Sequence, residues 1–338
     1  MRIGKNPQIA KSLQTPDYFH QVIVPVYIPN NEDYFKDSFN VFKITVDSLL
    51  KTCHAQTFIS IVNNGSSAEV EAYLEKLYEN GDIHELIQTN NIGKVNAVNK
   101  ALVGQSFPLV TITDADVLFL NDWQKSVYEV LEAFPKAGAV CTTPNSRTLK
   151  KLTENIYFDN FFSKSLRFTQ VKDSQAMIDF VESIGNPWVY RPIHLEQYLT
   201  VNHDNISAVV GAGHYVCTYR RDALPQNGFD NTDTLLGKNT MDPIDLGIIK
   251  KGFWRLSTVH NFTYHMGNQS EDWMYDKLHN LVDDKQVIPK PKLVPITSSP
   301  FLNWFKIKVF GSILFSRHIF WKNFLRFKGL KKEEAKHY

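Results

Sequence analysis

Two carboxylates separated by one residue, Asp114 and Asp116, are the clearest candidate in the sequence for a metal-binding group. They follow directly after the apolar run at 108–113, which is typical of a buried strand. Two negative charges at such a strand end are unfavourable unless a cation neutralises them. Oxygen ligands favour Mg²⁺ or Mn²⁺. The pair therefore predicts a divalent-metal site, although a solvated loop with a helix cap would also explain it.

A second acidic pair, Asp242 and Asp245, flanks Pro243 in a pattern typical of the start of a helix. Capping of that helix would by itself explain both carboxylates. A carboxylate at this position is also suited to act as a general base that takes a proton from a substrate. Both interpretations stay open on local grounds.

His265 is the third candidate, in the segment 263–267. A lone histidine is more often structural than functional. As a third metal ligand, however, an imidazole would suit Mn²⁺ better than Mg²⁺.

The segments that would position these residues alternate between strand-like and helix-like patterns. Short, β-branched apolar runs predict buried strands at 22–27, 58–62 and 108–113. Apolar residues at helical spacing predict helices near 38–50, 70–77, 95–102 and 123–134. This alternation predicts an α/β fold, with a mostly parallel central sheet and helices on both faces. Ligands of such sheets bind beyond the carboxyl ends of the strands, where the polar segments 63–66 and 114–116 would lie.

The rest of the chain is less regular. Residues 145–205 show no clear period, and we interpret them as an insertion that covers the open end of the sheet. Strand character returns at 206–219. The segment 301–332 carries eight Lys or Arg and no Asp or Glu, with many Phe and Trp between them. It is expected either to pack on the main domain as closing helices or to dock on an anionic membrane surface.

Composition narrows the class of protein. A chain of 338 residues with 43% hydrophobic and 21% charged residues is typical of one large or two smaller globular domains. A net charge of +2 argues against a nucleic-acid partner. Three widely spaced cysteines indicate free thiols rather than a zinc site. Neither a signal peptide nor a run of about 18 apolar residues is recognisable, so we expect a cytoplasmic protein.

Several catalytic motifs are absent from the sequence. It contains no GxxxxGK phosphate loop and no GxGxxG after a strand, which makes ATPase and dinucleotide-binding functions weak hypotheses. It also contains no GxSxG, so serine hydrolysis is unsupported.

The order of the motifs resembles that of the family-2 glycosyltransferases, which have the GT-A fold. The matching segments are 22–27 ("IIPVY"), 61–66 ("VDDGS" or "VDNGS"), 91–102 ("NxGKxxAxNxGL"), 114–116 (DxD), 211–224 ("GG…RRxxL"), Asp242 with Gly252 ("ED…G") and His265. The resemblance runs from about residue 20 to about residue 267. Each motif alone matches the family only weakly. The resemblance rests on the order and spacing of the motifs, which the chain shares with the family.

The sequence departs from the family pattern in two places. Asn63 and Asn64 stand where the family often has an acidic residue that contacts the base, so the nucleotide stays open. Met241-Asp242 replaces the "ED" pair, so the general base rests on Asp242, with Asp245 as the fallback. The sequence spacing to Gly252 matches the family pattern better from Asp242 than from Asp245.

The resemblance implies transfer, with inversion, of a sugar from a nucleotide-diphosphate-sugar donor to a hydroxyl of a saccharide or lipid-linked acceptor. The expected role is in cell-surface polysaccharide or glycoconjugate synthesis. Asp116, His265 and Asp114 would hold Mn²⁺ or Mg²⁺. The donor would be bound by Pro25, Tyr27, Asn63, Asn64, Lys94 and Asp114.

We expect three parts in the chain. They are an N-terminal extension (1–20), a GT-A domain (21–275, with a donor half at 21–145 and an acceptor part at 146–275) and an aromatic, basic C-terminal extension (276–338). If that extension docks on a membrane, the protein would be peripheral on its inner face.

Two other functions are alternatives. A sugar-nucleotide pyrophosphorylase would need a glycine-rich loop after the first strand, where this chain has Pro29-Asn30-Asn31-Glu32. A non-catalytic nucleotide-sugar-binding subunit of a polysaccharide assembly complex would not need the acidic residues and His265 together.

Overall fold

The computed structural model describes residues 4–5, 17–235, 242–283 and 285–338. Most of the predicted N-terminal extension, 1–20, lies outside the described residues, and so does Met241 of the expected "ED" position.

Within the described residues, ten strands form one mixed sheet in the order β3-β2-β1-β4-β10-β6-β11-β9-β8-β7, and β5 pairs with β12 in a small second sheet. The strands are β1 (His20–Val26), β2 (Thr57–Asn64), β3 (Glu85–Thr89), β4 (Leu109–Thr113), β5 (Val117–Phe119), β6 (Ala137–Cys141), β7 (Leu166–Gln170), β8 (Gln197–His203), β9 (Ile206–Val210), β10 (Val216–Arg220), β11 (Trp254–Thr258) and β12 (Thr263–His265).

The helices follow the strands along the chain. They are α1 (Ser38–Thr52), α2 (Ala68–Glu79), α3 (Lys94–Leu102), α4 (Trp123–Ala133), α5 (Glu154–Asp159), α6 (Ser174–Ser183), α7 (Pro192–Glu196), α8 (Asp242–Lys250), α9 (Asp272–His279), α10 (Pro300–Phe305), α11 (Gly311–Ser316), α12 (His318–Phe327) and α13 (Glu334–His337).

The first half of the sheet is parallel. β3, β2, β1 and β4 run in one direction, β10 lies antiparallel between β4 and β6, and β6 pairs in parallel with β11. Alternate residues of β1 point to opposite faces, as a strand requires. Ile23 packs with α3 on one face, whereas Val22 and Val24 pack with α1 and α2 on the other. The predicted α/β fold, with parallel central strands and helices on both faces, is confirmed.

The segment 145–205 differs in part from the expected insertion. It contributes β7 and β8, which pair antiparallel beside β9 and extend the sheet at one edge. Its helix α6 approaches the open end, where the hydroxyl of Ser183 lies 3.0 Å from Nδ1 of His265. Residues 166–169 and 199–202 do alternate apolar and polar side chains, but each alternation spans only four residues, the shortest run that indicates a strand, and these strands escaped prediction.

The C-terminal helices pack on the main domain. Leu314, Trp321, Phe324 and Leu325 are buried in the cluster that also holds side chains of α4, β8 and β9. The opposite side of the same helices is exposed and apolar. Among the residues that the structure describes, every helix is too short or too polar to span a bilayer.

Candidate active site

The Asp114–Asp116 turn joins β4 to β5 and is held in place by contacts from distant segments. The N–H of Asp114 donates to the carbonyl of Tyr215 at 2.7 Å, which ties the turn to the segment before β10. The hydroxyl of Thr45, on α1, donates to the carbonyl of Ala115 at 3.0 Å. The carbonyl of Asp116 accepts from the N–H of Met266 at 2.8 Å. These bonds fix the turn at the carboxyl end of β4, where the sequence predicted it.

Each carboxylate of the turn has a basic or imidazole neighbour. Lys94, the first residue of α3, forms an ion pair with Asp114. Nε2 of His265 lies 3.5 Å from Oδ2 of Asp116. Burial raises the pKa of Asp116 above its usual value, the His265 ring opposes this rise, and the Asp114 carboxylate adds to it. Asp116 is therefore held where its negative charge is disfavoured and where a cation would stabilise it.

The atoms around Asp116 fit a divalent ion. Its Oδ1 is buried and accepts no hydrogen bond from any residue that the structure describes. Together with Asp114 and His265 it offers carboxylate oxygens and one imidazole nitrogen, a donor set that suits Mn²⁺ and accommodates Mg²⁺.

A cavity of about 480 Å³ opens beside this turn. Its volume is in the range of small-molecule sites. The lining residues include Pro25, Tyr27, Asn64, Lys94, Asp114 and Asp116 from the predicted site, and Tyr34, Phe35, Asn91, Leu235 and Asn268 besides. The structure thus brings six of the predicted residues to one cleft, while His265 adjoins it through Asp116.

One wall of the cavity is aromatic. The ring centres of Tyr27 and Phe35 lie 5.8 Å apart in an edge-to-face arrangement, and Tyr34 meets Phe35 at 5.2 Å. Exposed aromatic faces suit the stacking of a planar base. Sequence reasoning named Tyr27 but missed Tyr34 and Phe35, whose proximity to Tyr27 in the chain was the available signal.

The two asparagines at the end of β2 are already hydrogen-bonded within the protein. Asn63 accepts from the N–H of Ser66 at 3.0 Å and donates to Gln88 at 2.7 Å. Asn64 accepts from the N–H of Ile92 at 2.9 Å and donates to Asn91 at 3.2 Å. Asn63 therefore joins the end of β2 to β3, Asn64 joins it to the loop after β3, and Asn64 alone of the two reaches the cavity wall.

The conformation of the loop after β2 explains why it contains a glycine, Gly65. Gly65 has φ +89° and lies so close to the next loop that a Cβ would meet the backbone nitrogen of Asn91 at 2.8 Å. Only glycine adopts this conformation and permits this approach. The glycine of the "NNGS" segment therefore fixes the geometry of the cavity rim.

The second acidic pair lies at the start of α8, and its two members differ sharply in exposure. The Asp245 side chain is fully buried, with Oδ2 lying 2.6 Å from the equally buried guanidinium of Arg255. The Asp242 side chain is 33% exposed. Asp242 is therefore the member of the pair that a substrate can reach.

Two further residues contact Asp242, and sequence reasoning missed both. Nζ of Lys151 lies 2.9 Å from Oδ1 of Asp242, and Nε2 of His214 lies 3.9 Å from the same oxygen. His214 follows the Gly211–Gly213 segment that resembled the family motif, which was the one available signal.

His214, Asp242 and Asp245 have ligand-type atoms within 4.8 Å of one another, a spacing that a metal ion would accept. The cations of Lys151 and Arg255, however, already lie against the two carboxylates. A divalent ion at this group would meet those two positive charges.

A mixed sheet with parallel central strands and helices on both faces is the fold of the GT-A class of glycosyltransferases. The chain belongs to glycosyl transferase family 2, whose family model matches residues 22–195.

Similar proteins point to the same family. The poly-beta-1,6-N-acetyl-D-glucosamine synthase of Staphylococcus aureus (strain COL) is 30% identical over 141 residues, which cover 42% of this chain and 34% of that protein. The enzyme of the same name from Staphylococcus epidermidis is 29% identical over 141 residues, covering the same shares. The match thus spans about a third of the length of these curated relatives.

Two solved structures are similar to the chain at low identity. A mannosyltransferase, PcManGT from Pyrobaculum calidifontis in complex with GDP-Man and Mn²⁺, is 17% identical, with 74% of this chain and 58% of that chain covered and a TM-score of 0.41. S. aureus TarS 1-349 in complex with UDP is 14% identical, with 77% and 62% covered and a TM-score of 0.39.

Proposed function

We propose that this glycosyltransferase moves a sugar from a nucleotide-diphosphate-sugar donor to an acceptor hydroxyl, with inversion at the anomeric carbon and with a divalent metal ion. One observation carries the proposal: a single cavity combines an aromatic wall with the Asp114 and Asp116 carboxylates, and Oδ1 of Asp116 is buried without a hydrogen-bond partner among the described residues.

The cavity supports a specific division of roles for the donor. Pro25, Tyr27 and Asn64 line the part that would take the nucleoside, and Lys94 and Asp114 lie beside the expected diphosphate. Asp116 and His265, with Asp114, would hold Mn²⁺ or Mg²⁺. When bound, such an ion would offset the negative charge that grows on the departing diphosphate.

Asp242 is the proposed general base. It takes the proton from the acceptor hydroxyl as that oxygen forms a bond to the anomeric carbon. The bond between this carbon and the diphosphate oxygen breaks, and its electron pair leaves with the nucleoside diphosphate. Attack from the face opposite the leaving group inverts the anomeric centre. The exposure of Asp242 and the burial of Asp245 support this choice.

The named function of the matched relatives supports a donor carrying N-acetylglucosamine and a role in cell-surface polysaccharide synthesis. The alignment covers a minor part of those proteins, so the donor is best found by a panel. We place UDP-N-acetylglucosamine first in it, followed by other UDP, GDP, dTDP and CMP sugars.

The test measures thermal stabilisation and nucleoside diphosphate release for each donor, with Mn²⁺ and with EDTA. The proposal expects one donor to raise the melting temperature and to release nucleoside diphosphate only with the metal. Tight binding without turnover, even with saccharide and lipid-linked acceptors added, would favour a non-catalytic nucleotide-sugar-binding subunit. Formation of a nucleoside triphosphate from donor and pyrophosphate would favour a pyrophosphorylase.

We also propose that the C-terminal helices dock the enzyme on an anionic membrane surface, where a lipid-linked acceptor would be available. Phe162, Ile313, Phe320 and Phe327 are more than half exposed and line one apolar groove. Lys322 and Arg326 lie on the same helix as Phe320 and Phe327. Aromatic rings and basic residues suit an anionic headgroup region.

Burial removes part of the positive charge from this surface. Lys306 is buried and forms an ion pair with Asp159 at 2.6 Å, and Lys328 is buried and donates to the carbonyls of Asn160 and Ser163. The other six basic residues of 301–332 are exposed or partly exposed, and one of them, Lys331, lies 3.7 Å from Glu334.

Truncation at Pro300 would remove buried core residues, so point variants test the docking better. We expect the protein to float with vesicles rich in phosphatidylglycerol and to remain behind with pure phosphatidylcholine. F320S/F327S should lose this flotation, whereas Y78S, at an exposed tyrosine on α2, should keep it. This surface would be ruled out if all three proteins floated equally. It would also be ruled out if the unaltered protein floated equally with both kinds of vesicle.

A further inference from the structure

The surroundings of Asp242 contain a chain of four charged or titratable side chains to which the proposed transfer gives no role. The buried end of this chain is the Arg255–Asp245 pair. Arg255 lies 2.6 Å from Asp245 and also donates to the carbonyls of Lys151 and Ala212 at 3.0 and 2.9 Å. The pair therefore fixes the backbone of Lys151 and the loop that leads into His214, relative to α8.

His214 continues the chain from the buried pair towards Lys151 and Asp242. Its Nδ1 lies 2.9 Å from Oδ2 of Asp245, and its Nε2 lies 2.9 Å from Nζ of Lys151. An ammonium group has donors only, so Nε2 accepts from Lys151 and the ring proton sits on Nδ1, close to Asp245. The Lys151 contact therefore selects one tautomer of His214.

Lys151 is the last member of the chain and meets the proposed base. Its Nζ lies 2.9 Å from Oδ1 of Asp242, and the two side chains are 38% and 33% exposed. Lys151 thus has one contact that points inward, to His214, and one that points to Asp242. An unsupported lysine side chain would lose much rotamer entropy on taking this position, and the His214 contact offsets that loss.

We propose that His214 and Lys151 are positioning residues for Asp242. His214, which lies beside Asp245, holds the Lys151 ammonium against the Asp242 carboxylate, so that this carboxylate keeps its orientation before the acceptor hydroxyl arrives. The inference rests on the proposed role of Asp242 as the general base.

The test compares K151M and H214N with K150M, a matched control one residue away. Lys150 extends towards Trp321, with Nζ 4.4 Å from the ring centre, and is not part of the chain to Asp242. Rates are measured as nucleoside diphosphate release from the panel donor that the unaltered protein turns over fastest.

K151M should lower kcat by about tenfold, the scale of losing one contact to a charged group, with the donor KM unchanged. The loss should fall on kcat and not on the donor KM, because the contact positions the base and not the donor. H214N should lower kcat in the same way, K151R should restore most of the rate, and K150M should match the unaltered protein.

Two further variants separate this inference from the proposed base. If Lys151 acts through Asp242, the double variant K151M/D242N should be no slower than D242N. A D242N protein with unaltered rates would overturn the base and this inference together. A slow D242N protein beside K151M and H214N proteins that behave like K150M would overturn this inference alone. If a melting assay shows that H214N does not fold, the rates of K151M and K151R decide whether the inference holds.

Discussion

His265 and Asp116 meet across the small second sheet, with Nε2 of the imidazole 3.5 Å from Oδ2 of the carboxylate. Antiparallel pairing of β12 with β5 places His265 opposite Val117, the residue that follows Asp116. On its other side, Nδ1 of His265 lies 3.0 Å from the Ser183 hydroxyl. Backbone pairing and a side-chain contact therefore bring a late segment of the chain to the DxD turn.

This relationship predicts a metal-binding defect in H265A. Loss of one ligand should weaken Mn²⁺ binding by about tenfold or more, because even residues that only support metal ligands have effects of this size. Titration of Mn²⁺ in the presence of donor measures the change. H279A, at an exposed histidine on α9, is the control. The same Mn²⁺ affinity in both variants would remove His265 from the ligand set.

The two carboxylates of α8 should fail in different ways. D242N should fold and bind donor normally but transfer sugar at least about 100-fold more slowly, the scale of general-base loss. D245N should melt at a much lower temperature, since it leaves Arg255 buried without its anionic partner, a change that costs about 3–5 kcal/mol. Melting curves and transfer rates check both. An active D242N beside a folded but inactive D245N would reassign the base to Asp245.

Buried histidines predict a loss of stability in mild acid. His20 and His54 both hydrogen-bond to the Tyr128 hydroxyl, at 2.6 and 2.8 Å. Burial lowers the pKa of His54 to about 4 and the pKa of His20 well below its usual value. The unfolded chain takes up these protons near pH 6.5 and the folded protein does not, so the free energy of unfolding falls as pH drops below about 6.5.

The expected slope is up to about 1.4 kcal/mol per pH unit for each such histidine between about pH 6.5 and pH 4. Urea denaturation at pH 7.5, 6.0 and 5.0 measures it. The H54Q variant should show a shallower slope than the unaltered protein. Stability that stays constant over this range would show that these histidines are protonated in the folded state.

The aromatic wall predicts a binding defect without a catalytic one. Y34A should weaken nucleotide affinity by about tenfold, because stacking of one base on an aromatic ring contributes roughly 1–3 kcal/mol. Calorimetry with the nucleoside diphosphate of the selected donor measures it, and Y78A is the matched control. If Y34A binds as tightly as Y78A, the base lies elsewhere in the cavity.

Elements with a strong local pattern could be predicted from the sequence. β1, β2 and β4 are continuous apolar runs, and α1 and α3 bury residues at helical spacing. β3 was missed because its residues are only partly buried at the sheet edge, and β5 and β12 because each has three residues. Such elements are defined by pairing with distant strands rather than by their own sequence.

The residues of the candidate site also differ in whether the local sequence could predict them. Asp114 and Asp116 stand out because a strand ends beside them, and the order of the motifs named the other residues. Lys151 has no local signal and His214 has only the neighbouring glycine motif, since both come close to Asp242 through the folding of separate segments that Arg255 ties together. The burial that separates Asp245 from Asp242 is likewise a property of the folded chain.

Calorimetric titration of the selected donor into unaltered and D116N protein, with Mn²⁺ and with EDTA, tests the central claim most directly. The account predicts tight, metal-dependent binding to the unaltered protein and no metal-dependent gain for D116N, although both proteins melt at the same temperature. Full Mn²⁺-dependent donor affinity in D116N would contradict the assignment of Asp116 as the metal ligand and, with it, the proposed mechanism.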